Sequence, residues 1–478
     1  MIKKLLLTGI VLGGLFSAVA AEKPNVLFIA IDDMNDWTTV FDKDNPIRTP
    51  NLERLAKRGC FFSKAYCAVP GCNPSRTALL TGLLPTTSGV YSNGDPWRKA
   101  LPDAVTLPKY FENHGYATRG AGKIFHHGAT GAEDPDNPSF QDFFKMLPER
   151  KTGPNYNGYT EGSVSKTSGD WGEHAEKMID IDTVEWVEAR MAEKWDKPLF
   201  LAAGIFRPHL PHYAPLAIFE QYPFDATKMP PMPKDDLNDI PPLGLAMAHT
   251  QFERYNLPAA APVESPGSLK KLVQCYQASA TFADSMVGRL LDKLDASGRA
   301  DNTIIVLWAD HGYHLGDKEN CVKFTLWEKA NRVPFIIVAP GIAKAGSRCD
   351  RPVSLLDLYP TLLELAGLPA KADNDGQSLV PLLKNTQLTW ARPAIMTQGR
   401  GNHAVRTDRW RYIRYEDGTE ELYDHDNDPW EITNLAGDGK YAQTIAAHKQ
   451  WLPKTEKAEG VLGGKMKKQK GGKQRLDK

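Results

Sequence analysis

The sequence predicts an α/β fold around a largely parallel sheet flanked by helices, with a small antiparallel subdomain at its C-terminal end. Three observations lead there. Several runs of strand length are apolar throughout, the segments between them carry helical spacing, and near residue 404 the pattern changes to alternation.

Asn25–Ile31 (NVLFIAI) is continuously apolar and rich in branched side chains, as a strand covered on both faces must be. Pro198–Gly204, Thr303–Ala309 and Val333–Ala339 repeat the pattern. A helix opens at Thr49-Pro50-Asn51 and closes at Gly59; another spans Thr106–His114 and stops at Gly115. Lys271–Leu294 is a long helix, with Leu272, Tyr276, Val287, Leu290, Leu291 and Leu294 near one face. Residues 123–172 and 222–266 are rich in Pro, Gly, Asn and Asp and read as surface insertions that wall a pocket. Ala404–Tyr415 alternates and is followed by a hairpin turn at Asp417-Gly418. The expected organisation is a leader over 1–21, a main domain over 22–385, a C-terminal subdomain over 386–459 and a disordered basic tail over 460–478.

The leader has a basic start, an apolar run from Leu5 to Phe16 and a small-residue cleavage site at Ala18-Val19-Ala20. It predicts export to the periplasm or the medium. No other segment reaches the roughly 18 apolar residues of a membrane span, so none is expected in the mature protein. Formal net charge is +0, which gives the chain no overall drive toward nucleic acid. Six cysteines are too few for a disulfide scaffold of this length, and no C-x-x-C spacing points to zinc.

Cys72-Asn73-Pro74-Ser75-Arg76, continuing to Gly82, places a cysteine where a helix begins: Pro74 suits a first turn and Gly82 an end. Free N–H groups at a helix start stabilise anions, and Arg76 adds a fixed cationic fork. Asp32-Asp33 and Asp310-His311 each follow the carboxyl end of a predicted parallel strand, the edge at which open α/β sheets bind ligands. Two acidic clusters there repel each other unless a cation lies between them, so a divalent metal is expected.

The run C-x-P-S-R-x-x-L-L-T-G over Cys72–Gly82 resembles the signature of the type I sulfatases of the alkaline phosphatase superfamily. The likeness continues through Gly115–Lys123, Ala404–Thr407, Glu421–Asp424 and Asp428-Pro429, and covers about Pro24 to Leu435. It implies an alkaline-phosphatase-like core, and conversion of Cys72 to formylglycine by a formylglycine-generating enzyme during maturation. It implies one divalent ion, calcium by family or manganese given the softer nitrogen of His311, held by Asp32, Asp33, residue 72, Asp310 and His311. Cys72, Arg76, Lys123, His126, His209 and Lys323 become the expected catalytic residues, with His209 as leaving-group acid and His126 as the base that helps expel sulfate.

Three details resemble the iduronate-2-sulfatase-like branch: His311 after Asp310, His126 three residues after Lys123, and Arg207-Pro208-His209. That branch implies a sulfated oligosaccharide or polysaccharide as substrate. Asn93, Trp97, Arg98, Arg207 and His212 are the candidate sugar contacts, with Trp97 stacking on a sugar face and Arg98 or Arg207 pairing with a uronate. Two other readings stand beside this one: a phosphodiesterase or phosphonate monoester hydrolase of the same fold, and a non-catalytic protein that binds sulfated glycans.

Overall fold

A computed structural model describes residues 23–126, 139–147, 168–173, 175–254 and 266–459. The expected leader and basic tail lie outside these residues, as does most of the first insertion.

An eight-stranded sheet forms the centre. Its strands run in space Ser347–Cys349, Cys60–Phe62, Phe335–Val338, Thr303–Ala309, Asn25–Asp32, Leu199–Pro208, Ala117–Gly122 and Asp142–Phe144. All neighbours are parallel except the pairs made by Phe335–Val338, which runs antiparallel to both flanking strands. This corrects the reading of Val333–Ala339 as one more parallel strand. Among the described residues between Ala309 and Phe335 the only α-helix is the four-residue turn Glu328–Asn331, so the chain doubles back instead of crossing over the sheet. A strand buried on both faces is apolar whichever way it runs, so composition does not report its direction. Arg332–Val333 forms a separate short strand paired with Ala65–Tyr66.

The long helix covers Pro266–Ala296 and, with Ile179–Ala192, packs on the strand Leu199–Pro208. Pro50–Ala56 and Leu107–Asn113 occupy the predicted helical segments. Part of the second insertion forms the helix Pro242–Arg254. Among the described residues no helix is long and apolar enough to cross a membrane. All six cysteines are buried as free thiols.

The C-terminal strands Ala394–Thr397, His403–Arg406, Trp410–Arg414 and Glu420–Asp424 form an antiparallel meander. It is joined to the main sheet region by a second core that includes Tyr66, Leu326, Trp327, Met396, Ile413 and Tyr423. Across that junction Arg406 and Arg411 both pair with the buried Glu328.

Candidate active site

The strands Asn25–Asp32 and Thr303–Ala309 are parallel neighbours in register, Ile31 opposite Ala309. The residues that follow them therefore leave the sheet side by side. Consecutive side chains of a strand point to opposite faces, which would separate Asp32 from Asp33. The chain instead turns at Asp33, whose φ of 62° is left-handed. Its N–H donates to Asp310 Oδ1 (3.1 Å), and its carbonyl accepts from the Tyr276 hydroxyl of the long helix (2.7 Å). The ligand-capable atoms of Asp32, Asp33, Cys72, Asp310 and His311 consequently lie within 4.8 Å of one another, all buried.

Cys72 is the first residue of the helix Cys72–Thr81, with Gly71 extended as its cap and Gly82 left-handed at its end. The rest of the motif fixes that helix to the sheet edge. Ser75 Oγ donates to the Asp310 carbonyl (2.5 Å). Asn73 Nδ2 donates to the carbonyls of Ser92 (3.1 Å) and Asp95 (2.8 Å). Arg76 is buried: Nε meets Asp310 Oδ2 at 2.9 Å, Nη2 meets Asp32 Oδ1 at 3.2 Å, and Nη1 donates to the carbonyls of Lys123 and Ile124. Its cationic charge is thus directed at two carboxylates and its remaining donors at backbone.

Two ammonium groups flank residue 72. Lys123 follows the strand Ala117–Gly122 and contacts Asp32 Oδ2, with Nζ 3.9 Å from Cys72 Sγ. Gly122, at φ 73°, permits this placement, because a Cβ there would come 2.2 Å from the Gly204 carbonyl oxygen. Lys323 Nζ is 2.6 Å from Asp33 Oδ1 and 3.0 Å from Sγ. His311 Nε2 is 3.3 Å from Sγ, and the His126 side chain also acts on the thiol, lowering its pKa. Burial alone would push the Cys72 thiol up, but Lys123, Lys323 and His311 together hold it well below its ordinary value, so the position is built for an anion.

Burial likewise pushes Asp310 up to about 7, only partly opposed by Arg76, while for Asp32 burial is outweighed by the nearby cations, Lys123 foremost, which hold it low. His311 Nδ1 faces the Gly312 carbonyl (3.0 Å), which leaves Nε2 toward Asp33 Oδ1 (3.3 Å) and Asp310 Oδ2 (3.5 Å). Against burial, Asp310 raises that imidazole to about 9. Three carboxylates, one imidazole nitrogen and residue 72 around one point fit a hard divalent ion.

His209 borders a cavity of about 260 Å³ with Asp33, Leu210, Pro211, Tyr313, Val322 and Lys323. Its Nδ1 donates to the Leu210 carbonyl (2.7 Å), and Nε2 lies 4.0 Å from Asp33 Oδ2. The six expected catalytic side chains and the expected metal-ligating ones thus share one centre.

The five expected sugar contacts are all engaged with protein neighbours around the centre. Trp97 is buried with its ring stacked on Phe125 (5.7 Å, 4°) and the Arg98 guanidinium 4.2 Å from its centroid, so no face is open to a sugar. Arg98 donates to the Ala104 carbonyl (3.0 Å) and Ser139 Oγ (3.4 Å). Arg207 is fully buried against the Phe206 and Tyr213 rings. His212 is also fully buried, its ring edge-on to Tyr276 and Tyr313, and burial pushes its pKa down to about 3. Asn93 caps the Cys72 helix: its Oδ1 accepts the Asn73 N–H (2.9 Å). An aromatic or cation in a Gly/Pro-rich loop has the same sequence pattern whether it faces in or out. The wall residues missed by sequence, Tyr313, Leu210, Pro211 and Val322, carry no signal beyond adjacency to His209, His311 and Lys323.

The family model described as Sulfatase matches residues 24–368, and one described as N-sulphoglucosamine sulphohydrolase, C-terminal matches residues 316–458. A sulfatase of Formosa agariphila is 41% identical over 91% of this chain and 87% of its own. Human iduronate 2-sulfatase is 29% identical over 76% of this chain and 74% of its own. Among solved structures, a phosphonate monoester hydrolase from Silicibacter pomeroyi shares the fold at TM-score 0.75 and 23% identity, over 90% of this chain and 94% of that one. With the signature helix, the buried acidic cluster and a family match over most of its length, the chain belongs to the sulfatase family and is a sulfuric ester hydrolase.

Proposed function

We propose that this protein removes sulfate from a sulfated carbohydrate, using formylglycine made from Cys72 and one divalent cation. The observation that carries the reading is the convergence on buried residue 72 of Asp32, Asp33, Asp310 and His311 with the ammonium groups of Lys123 and Lys323.

Asp32, Asp33, Asp310, His311 and residue 72 would hold the cation, calcium by the oxygen-rich donor set with manganese as the alternative, and it would supply positive charge toward the sulfate group. Formylglycine would supply a hydrated aldehyde, with one hydroxyl to attack sulfur and a second to expel sulfate as the aldehyde reforms, where a serine would remain esterified. The chain's own residues do the rest. Lys123 and Lys323 bracket residue 72 and stabilise charge on the transferring group, in a buried site where such charges count for more. Arg76 holds Asp32 and Asp310 in place. His209, on the open cavity with Nδ1 tied to Leu210, presents Nε2 to protonate the leaving alcohol. His126, beside residue 72, would take the proton of the second hydroxyl.

The branch motifs and the iduronate 2-sulfatase relative support a sulfated, uronate-containing oligosaccharide cut at a chain end. The same proposal includes export through the leader, maturation by a formylglycine-generating enzyme, and the domain limits near 22, 385 and 459. The experiment is sulfate release from defined sulfated oligosaccharides, run beside phosphate diesters and phosphonate esters, with the mass of the peptide bearing residue 72. Conversion of Cys72 with preferred sulfate-ester turnover is expected. Faster phosphonate hydrolysis would favour the shared-fold alternative, and an unmodified Cys72 with no turnover would favour the binding-protein reading.

A further inference from the structure

Lys323 lies in an irregular loop, yet its ammonium meets both Asp33 Oδ1 and the sulfur of residue 72. The loop's geometry shows how. His314 grips the chain on both sides of the lysine: its backbone N–H donates to the Val322 carbonyl (2.7 Å), and its ring Nε2 meets Thr325 Oγ1 at 2.7 Å. The main-chain bond from His314 to Val322 is continued by the Val322 N–H, which donates to Asn320 Oδ1 (2.9 Å). On the other side of the ring, Nδ1 meets Asp317 Oδ2, and Asp317 Oδ1 accepts the Leu315 N–H (3.0 Å). Between the two grips, Phe324 is held at a left-handed φ of 72°, unfavourable for a bulky residue, and its N–H donates to the Pro70 carbonyl (3.0 Å), two residues before Cys72.

The order Thr325, His314, Asp317 is that of a nucleophile, base and acid chain. All three are buried, with His314 at 0%, Asp317 at 6% and Thr325 at 1% exposure, so no substrate reaches the hydroxyl and the chain serves as a strut. We propose that His314 is a positioning residue for Lys323, fixing the lysine's ammonium against Asp33 and residue 72 through its bonds to Val322, Thr325 and Asp317. This rests on the catalytic reading of Lys323 given above.

The test is a double-mutant cycle of His314→Ala and Lys323→Ala, reading kcat and KM for sulfate release together with the thermal midpoint. His314→Ala should lower kcat about 10- to 100-fold with KM little changed. In the Lys323→Ala background it should cost nothing further in kcat, while its effect on the midpoint persists in both backgrounds. A loss by the same factor in both backgrounds overturns the proposal and leaves the role of Lys323 standing. Wild-type kcat in Lys323→Ala overturns the proposal together with that role. Should His314→Ala fail to fold, Thr325→Val removes the hydroxyl at nearly constant shape and enters the same cycle, with Thr325→Ser restoring activity; wild-type kcat in Thr325→Val overturns the proposal. A crystal structure of either folded variant adds a readout independent of turnover: Lys323 Nζ still bonded to Asp33 would overturn it as well.

Discussion

Arg76→Ala in the metal-free protein should destabilise the fold, and by more at pH 8 than at pH 5. The guanidinium is 1% exposed and its two carboxylate partners, Asp32 and Asp310, are 0% exposed. Removing one member of such a buried pair costs about 3–5 kcal/mol, because the partners are left charged and desolvated. Here Lys123 still faces Asp32, so the loss falls mainly on Asp310. Asp310 already has its pKa pushed up by burial to about 7, with Arg76 the largest opposing influence. A carboxyl group raised in the folded state contributes stability that is full below its unfolded value, near 4, and is lost as pH rises through the folded value. At pH 5 Asp310 is protonated in both proteins and the missing guanidinium is felt least. At pH 8 the wild type carries an ionised Asp310 against Arg76, whereas the variant must either ionise it with only His311 and two backbone N–H groups in support or keep it protonated far from its unfolded value. Urea unfolding of chelator-treated wild type and variant at the two pH values measures the difference. A variant penalty that is equal at both, or larger at pH 5, would refute the electrostatic account of the motif arginine.

Cys72→Ala should abolish turnover while the thermal midpoint stays near that of the wild type, since the helix is anchored by Asn73, Ser75 and Arg76 rather than by the sulfur; measurable turnover would sink the formylglycine mechanism. Chelation should inactivate the enzyme and added calcium or manganese restore it, and Asp310→Ala should lose both bound metal, by elemental analysis, and activity. His209→Ala should fall by about 10²- to 10⁴-fold on a sugar sulfate but far less on an activated aryl sulfate, whose leaving group needs no proton. Equal losses on the two substrates would remove His209 as the acid.

What could be read from sequence divides along a physical line. Asp32, Asp310 and His311 were legible because each lies directly at the end of a continuous apolar run, and strand ends of a parallel sheet share one edge. Cys72 was legible because helix-start chemistry surrounds it in adjacent positions. In both cases the information is local, and the fold only has to bring two or three local signals to the same edge. The surroundings of Trp97 and Arg98 were not legible, because whether such a side chain faces solvent depends on what packs over it, and their partners Phe125 and Ser139 lie elsewhere in the chain. The direction of Phe335–Val338 was hidden for a similar reason: hydrophobic burial has no polarity along the strand, and only the loop that returns it decides. That loop, 310–334, is occupied by the site itself. It carries His311 and Lys323 and is pinned at its far side by Lys318, whose ammonium reaches Asp236 and the Glu431 carbonyl. A crossover helix in its place would have kept the sheet parallel. The reversed strand and the placement of His311 and Lys323 beside residue 72 thus come from the same connection.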